Sequence, residues 1–438
     1  MQHLIDIAQA ACDAALKAGA DCADVSVREG ASRSVDLEVG EVKNSEVSIS
    51  SGISVRAFSR GACGWASATR MELPDARSAG EDAAALAKSA DPDPDFIDLP
   101  EGGAETEVPG LYDEAVAGLS LDDLLAYLKP EVAAVRAKAP EAIIGGGCGA
   151  GHGTSVYVSS KGHVVTKSGS SVSCSISVAV RDGDDVGAYH DWEFARTLDR
   201  FDPAGIGDAS VDEALKMLGS RPGPSAQLPL VFGFDASRGA LSSLIGAASA
   251  EEVQRGRSFM AGMEGQPVAS EALTLLDSPF IPGGASSAAT DGEGVPHKVL
   301  TLVDEGVLTT YLHNSYTAGK AGVENTAHST RGGIAPTNVI PTLGDRSQAD
   351  LIADIDEGIF VRGGHVAVNN ATGDFSQVVD FGYKIEKGEL AYPLKETMIS
   401  GSYLDLLRSL DAVSSDYREK PGLIMPALRV SGVRVIAR

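Results

Sequence analysis

Two proline clusters divide this chain before any other pattern is considered. Asp91-Pro92-Asp93-Pro94-Asp95 places a proline at every second position, and a ring that locks φ and removes an N–H at that spacing excludes both helix and central strand. Arg221-Pro222-Gly223-Pro224 interrupts the chain again. Three units are expected: residues 1–110, with 91–110 as a linker, then 111–223, then 224–438. Length points the same way, since single cores stop growing near ~250–300 residues and this chain has 438.

Within the first unit, Leu4, Ile5, Ala8, Ala11, Cys12, Ala15 and Leu16 form one helical stripe that ends at Gly19, the position of a C-terminal cap. Ser34 to Val39 and Ile53 to Phe58 alternate polar with apolar residues, as antiparallel strands with one wet face do. A second helix is expected over 74–90, with Pro74 where a first turn tolerates it. In the second unit, Leu121, Leu124, Leu125, Leu128, Val132 and Val135 predict a helix over 121–138, with Ser120 and Asp123 as a capping pair. Val156 to Val158 and Val164-Val165 predict a hairpin, and Ser171 to Arg181 a further strand.

The third unit opens with the apolar strand Leu228 to Phe232 and a helix over roughly 236–255. Beyond it the texture is β-rich. Asp304-Glu305-Gly306 and Glu386-Lys387-Gly388 each join two apolar runs as a short hairpin whose glycine supplies the left-handed residue. Leu428 to Val435 predicts a closing strand. The fold class is therefore α+β: helix-plus-antiparallel-sheet units in the first half and a large β-rich domain in the second.

A formal charge of −25 opposes direct nucleic-acid binding, which depends on Lys and Arg displacing condensed counterions. Five cysteines, Cys12, Cys22, Cys63, Cys148 and Cys174, without C-x-x-C spacing, point to reduced thiols rather than a disulfide framework. No apolar stretch approaches the ~18–20 residues of a membrane span, and no basic segment precedes an apolar run at the start. A cytoplasmic location is expected.

A zinc protease needs two imidazoles on one helical face, a third ligand and a carboxylate to take a proton from bound water. None of the eight histidines has a second within four or five residues, and no H-E-x-x-H is present. His190, beside Asp191 and Glu193, reads as a solvated residue on a loop. His328 lies in a polar segment, Thr326 to Gly333, that suits ligand contact. Gly145-Gly146-Gly147-Cys148-Gly149-Ala150-Gly151 lacks the Gly-Lys-Ser/Thr ending of a phosphate loop and is expected to be a turn. No G-x-S-x-G elbow accompanies the serines, and Cys63 and Cys148 are expected to be structural thiols.

Several phrases in the second half, in order, carry a resemblance. They are Val268-Ala269-Ser270-Glu271, Pro282-Gly283-Gly284, Asp291-Gly292-Glu293-Gly294-Val295, the Val303-to-Leu312 hairpin, and Asn369 to Ser376. With Met425 to Gly432 and Val55 to Arg70, they resemble the TldD/PmbA family over nearly the whole chain. TldD-type members carry H-E-x-x-x-H and a late cysteine as zinc ligands, whereas PmbA (TldE) members do not. Counting back from Val268, the zinc-helix position falls on Leu241-Ser242-Ser243-Leu244-Ile245-Gly246, and no cysteine follows Cys174. Leu241, Ser242 and Gly246 stand where the ligands and base would be, so the chain resembles the PmbA branch.

The resemblance implies no catalytic residue and no cofactor in this chain, with zinc only in a TldD-like partner. It implies a heterodimeric metallopeptidase acting on extended peptides, and a historical label as modulators of DNA gyrase. Candidate peptide-binding residues are His328, Arg331, Asn369 and Thr372. A homodimeric peptide-binding or scaffold protein without catalysis is the alternative, and an independent hydrolase using Cys63, Cys148 or a serine a third.

Overall fold

A computed structural model describes residues 1–364, 366–420 and 422–437. The chain is α+β, with a six-stranded sheet in its first half and a thirteen-stranded sheet that dominates the second. The opening stripe forms α1 (Gln2–Lys17), followed by β1 (Cys22–Glu38), β2 (Glu41–Ser59), β3 (Ala62–Ala68) and α2 (Leu73–Ser89). After the linker come α3 (Glu114–Ala117), α4 (Leu121–Lys138), β4 (Ile143–Ser159), β5 (Val164–Asp182), β6 (Asp185–Ala195) and α5 (Ile206–Lys216). Helix α4 carries the expected capping box: the Asp123 N–H donates to Ser120 Oγ at 3.2 Å and the Ser120 N–H to Asp123 Oδ2 at 2.9 Å.

The first and second units share one antiparallel sheet, ordered β3-β2-β1-β4-β5-β6, because β1 pairs with β2 on one side and with β4 on the other. Alternation explains why all the long helices lie on one face. Val25, Val27, Val156 and Val158 point into the core under α1 and α2, while Val35, Leu37, Ile144 and Ile176 point under α4 and α5. The linker is pinned to this body, with Phe96 stacked on Phe58 at 4.1 Å between centroids and Leu99 buried.

The glycine-rich run is not a turn. Residues 145–151 lie inside β4, paired to β1 and β5 along their whole length. Even-numbered Ile144, Cys148 and Ala150 enter the core, so Gly145, Gly147, Gly149, Gly151 and Gly153 line the opposite face. Ser34 and Ser173 stand beside Gly149, and Ser32 and Ser171 beside Gly151. That face is a bare surface of small residues. Gly146 is also required by its backbone: φ is +131°, and a Cβ would stand 2.1 Å from the Ser175 carbonyl oxygen.

In the second half, the closing strand Leu423–Ala437 is the hub of the large sheet. It runs antiparallel to Ala226–Phe232, Thr397–Ser402 and Leu410–Lys420, and parallel to Asn338–Pro341. The helix expected over 236–255 is two pieces, α6 (Phe234–Ala247) and Ala250–Gln254. The break occurs where Ala250 gives its N–H to Leu312 at 2.9 Å instead of to the helix.

An ionic network joins the two halves. Asp24 on β1, fully buried, accepts from Arg56 on β2 and from Arg331 of the second half at 2.6 Å. Arg56 also pairs with Glu293 at 3.0 Å. Burial alone would raise the Asp24 carboxyl; Arg331 and Arg56 outweigh it and hold the group below its ordinary range.

Candidate functional site

Helix α6 has two unlike faces. Leu241, Leu244 and Ile245 join the core of the second half, packed with Leu230 and Phe232. Asp235, Arg238 and Ser242, spaced three and four apart, share the other face and line a cavity of about 510 Å³. The opposite wall comes from β6, the last strand of the first sheet, through Tyr189, His190, Asp191 and Trp192, and the ends are closed by Asp380, Phe381 and Arg418. The cavity therefore lies between the two sheets, with six chain segments converging on it once Gly363-Gly364 and Met425 are included.

Its charges are mostly satisfied internally. The Arg418 guanidinium reaches Asp235 Oδ2 at 3.2 Å with one nitrogen and Asp191 Oδ1 with the other, and the Tyr189 hydroxyl donates to Asp235 at 3.3 Å. Lys420 donates to the Trp192 carbonyl oxygen, with its ammonium 4.2 Å from the Trp192 ring centroid and 3.8 Å from Asp191. Burial would lower the Arg418 pKa, but Asp235 and Asp191 outweigh it and raise the group. Burial, assisted by the charge on Arg418, lowers Lys420. Burial next to Asp235 pushes the Tyr189 phenol up to about 12, and burial also raises the Asp380 carboxyl.

The donor set does not fit a zinc ion. At the aligned positions Leu241 is fully buried in apolar core, Ser242 offers only a hydroxyl, and Gly246 has no side chain and open space beyond it. Among the described residues, no group of three or more His, Cys, Asp or Glu is arranged to hold a metal. All five cysteines belong to the first half. Four are buried and Cys63 is exposed; Cys148 faces Cys174 across β4 and β5, and that contact together with burial raises the Cys174 thiol well above its ordinary value.

The residues singled out from the sequence fall in separate places. His328 is buried rather than in a flexible polar segment, with Nε2 2.6 Å from Asp277 Oδ2 and Nδ1 3.0 Å from Thr326 Oγ1. Arg331 serves the ionic network and lies over the Trp65 ring at 5.5 Å. Asn369 and Thr372 are exposed in a different loop, where Asn369 Oδ1 accepts from the Ala371 and Thr372 N–H groups. None of the four lines the cavity beside α6, whereas Ser242 does. His190 lines it too and lies on strand β6, not on a loop. Arg238, Asp380 and Arg418 carry no local signature; His190 with its neighbour Asp191, and Ser242 at the zinc-helix position, marked this place in the sequence.

Comparison with known proteins agrees with this architecture. Family profiles described as PmbA/TldA metallopeptidase domain 1, central domain and C-terminal domain match residues 23–90, 114–218 and 225–437. A metalloprotease of Methanothermobacter thermautotrophicus is 33% identical over 228 residues, half of each chain. A metalloprotease PmbA homolog of Haemophilus influenzae is 27% identical, covering 98% of this chain and 96% of the relative. The crystal structure of TldE from Thermococcus kodakarensis superposes with a TM-score of 0.90 at 26% identity, covering 98% of this chain and all of that one. The fold and these matches define a protein of the peptidase type. The chain belongs to the TldD/PmbA family.

Proposed function

We propose that this chain is the zinc-free subunit of a TldD-type metallopeptidase complex that processes extended peptides in the cytoplasm. One observation supports this most directly: the solvent face of α6 carries Ser242 and Gly246 where a catalytic member needs a carboxylate and an imidazole, and Leu241 is enclosed in the core. Two similar proteins, a TldE of known structure and a PmbA homolog, support the same branch. An extended substrate suits a β-rich body, since backbone hydrogen bonding to a strand gives affinity with little side-chain selectivity. The test is purification of the chain alone and together with its cognate H-E-x-x-x-H subunit. Alone it should carry no stoichiometric zinc and cleave no unfolded peptide; together the two should form a stable complex that does. Zinc-dependent cleavage by the chain alone would overturn the proposal.

A second reading, a self-paired dimer without catalysis, is favoured by the edge of β2. Residues 41–50 pair with β1 on one side and with no strand on the other among the described residues, and Val47 and Ile49 are exposed, Ile49 to 84%. A two-fold axis through Ser48 would set Val47 against Ile49 of a second copy, twice, and oppose no like charges. Sedimentation of Ile49→Lys against the parent chain decides it: a dimer lost on substitution supports self-pairing, and a monomeric parent removes it.

A further inference from the structure

On the helix-free face of the first sheet, strand pairing sets Arg28 on β1 opposite Ser155 on β4, and Ser155 opposite Lys167 on β5. The next row on that face is Gly30, Gly153 and Gly169. Neighbouring strands are ~4.8 Å apart, so this row is a floor about 10 Å wide without side chains. Both rows line a cavity of about 860 Å³, walled by the linker through Val108 and Leu111 and by Ala288 of the second half. Lys167 and Arg196, both half-buried, face it without a carboxylate partner among the described residues. The Lys167 ammonium donates to the Thr290 and Asp291 carbonyl oxygens at 2.7 and 2.8 Å, leaving one of its three N–H groups. The Arg196 guanidinium donates to the carbonyl oxygens of Gly284 at 2.9 Å, Leu111 at 3.5 Å and Ala285, leaving two of its five. Carbonyl oxygens fix these groups without neutralising them, and burial lowers the pKa of both. Glu29, Glu105 and Glu107 also line the cavity, but they are exposed and pair with neither cation.

We propose that this cavity binds a small aromatic carboxylate, its anionic group held between Lys167 and Arg196 and its ring laid on the glycine row. Residues two apart on one face of a strand are ~7 Å apart, and a Cβ on Gly169 would meet Arg196 Nη1 at 3.0 Å, so one carboxylate placed beside Gly169 reaches both cations. The three remaining N–H groups suit its two oxygens, and the planar guanidinium suits its plane. The floor without side chains admits a flat ring, and Val108, Leu111 and Ala288 supply apolar contacts at its edge. The volume lies inside the ~300–1,000 Å³ range of small-ligand sites. In a chain with 61 acidic residues and a net charge of −25, carboxylates are not scarce, yet these two cations have none; a monoanion supplies one at less cost against that field than a dianion does. Neither a partner subunit nor cleavage enters the inference.

The test is isothermal titration calorimetry on the purified full chain with benzoate, its neutral isostere benzamide, and acetate, which keeps the charge and lacks the ring. Benzoate should bind saturably, and each of the other two at least about tenfold more weakly, through loss of the charge-assisted contacts or of the buried ring. Lys167→Met should remove the preference for benzoate over benzamide, with circular dichroism confirming its fold, while Lys161→Met should leave the preference unchanged. Footprinting of the parent chain with an amine-reactive reagent locates the site without any variant: saturating benzoate should slow labelling of Lys167 and leave that of Lys161 unaltered. Absence of saturable benzoate binding up to ~10 mM, or equal binding of benzamide, overturns the proposal. Equal binding of acetate overturns the assignment of the ring to the glycine row, and unaltered labelling of Lys167 overturns the placement of the carboxylate.

Discussion

Replacing Asp24 by Asn tests the contact that joins the two halves. The carboxylate is fully buried and accepts from Arg56 at 3.1, 3.2 and 2.5 Å, from Arg331 at 2.6 Å and from the Tyr157 hydroxyl at 3.3 Å. Both guanidinium side chains are only 9% exposed. The variant would leave two buried cations with one carboxylate, Glu293, which reaches Arg56 alone at 3.0 Å and is also engaged by the Ser315 N–H. Breaking a buried pair from one side costs about 3–5 kcal/mol, against ~0–1 kcal/mol for a solvated surface pair.

Urea unfolding reads this directly through tryptophan emission, because Trp65 lies under Arg331 and Trp192 lies in the cavity beside α6. A cycle with Arg331→Met separates pairing from packing, and the double variant should recover at least ~1 kcal/mol relative to the sum of the singles. The Asp24 pKa is depressed in the folded state, so its stabilisation is fully present above the unfolded value near ~3.9 and disappears as pH falls through the folded value. Loss of less than ~1 kcal/mol by Asp24→Asn, or strict additivity in the cycle, would show that the network is not what ties the halves together.

Four further outcomes are expected. Gly146→Ala should cost roughly 2 kcal/mol or more, because its Cβ would meet the Ser175 carbonyl oxygen at 2.1 Å, whereas Gly162→Ala, with φ +82° and open space, should cost only about 1 kcal/mol in thermal unfolding. A thiol reagent should modify one native cysteine, Cys63, and all five after denaturation, with the native reaction quickening as pH rises because the thiolate is the reacting form. Burial and the neighbouring His328 lower His297 to about 4, so its contribution is intact above the unfolded value near ~6.5 and declines as pH falls from there to about 4. His297→Gln should flatten that part of the stability profile, whose slope per proton is at most ~1.4 kcal/mol per pH unit. Installing Leu241→His, Ser242→Glu and Gly246→His together should not yield tight zinc, measured by elemental analysis, because residue 241 is enclosed in core and no cysteine follows Cys174.

How much of this was legible in the sequence depends on whether side chains or distance carried the signal. Helices α1 and α4 have apolar side chains at helical spacing and appear where those residues place them, and the hairpin at Asp304-Glu305-Gly306 follows from a glycine that turns out to have φ +80°. The interior of β4 was unreadable for the opposite reason: five glycines on one face remove the alternation by which a strand is recognised, and composition alone then suggests a turn. His328 was misplaced because its partner Asp277 is 51 residues away, so a polar stretch looked solvated. The cavity beside α6 was hidden in the same way, since Arg238, Asp380 and Arg418 become neighbours only once the two sheets are formed.

A charge of −25 is felt most by a ligand bearing many charges of its own, and a nucleic-acid strand, with closely spaced phosphates, needs a row of unpaired cations to offset it. The cavity beside α6 offers no such row: Arg418 and Lys420 are engaged by Asp191 and Asp235, which leaves Arg238 as the one cation on its wall without an ion pair among the described residues. Surface charge and cavity charge therefore argue in the same direction, against a polyanionic ligand.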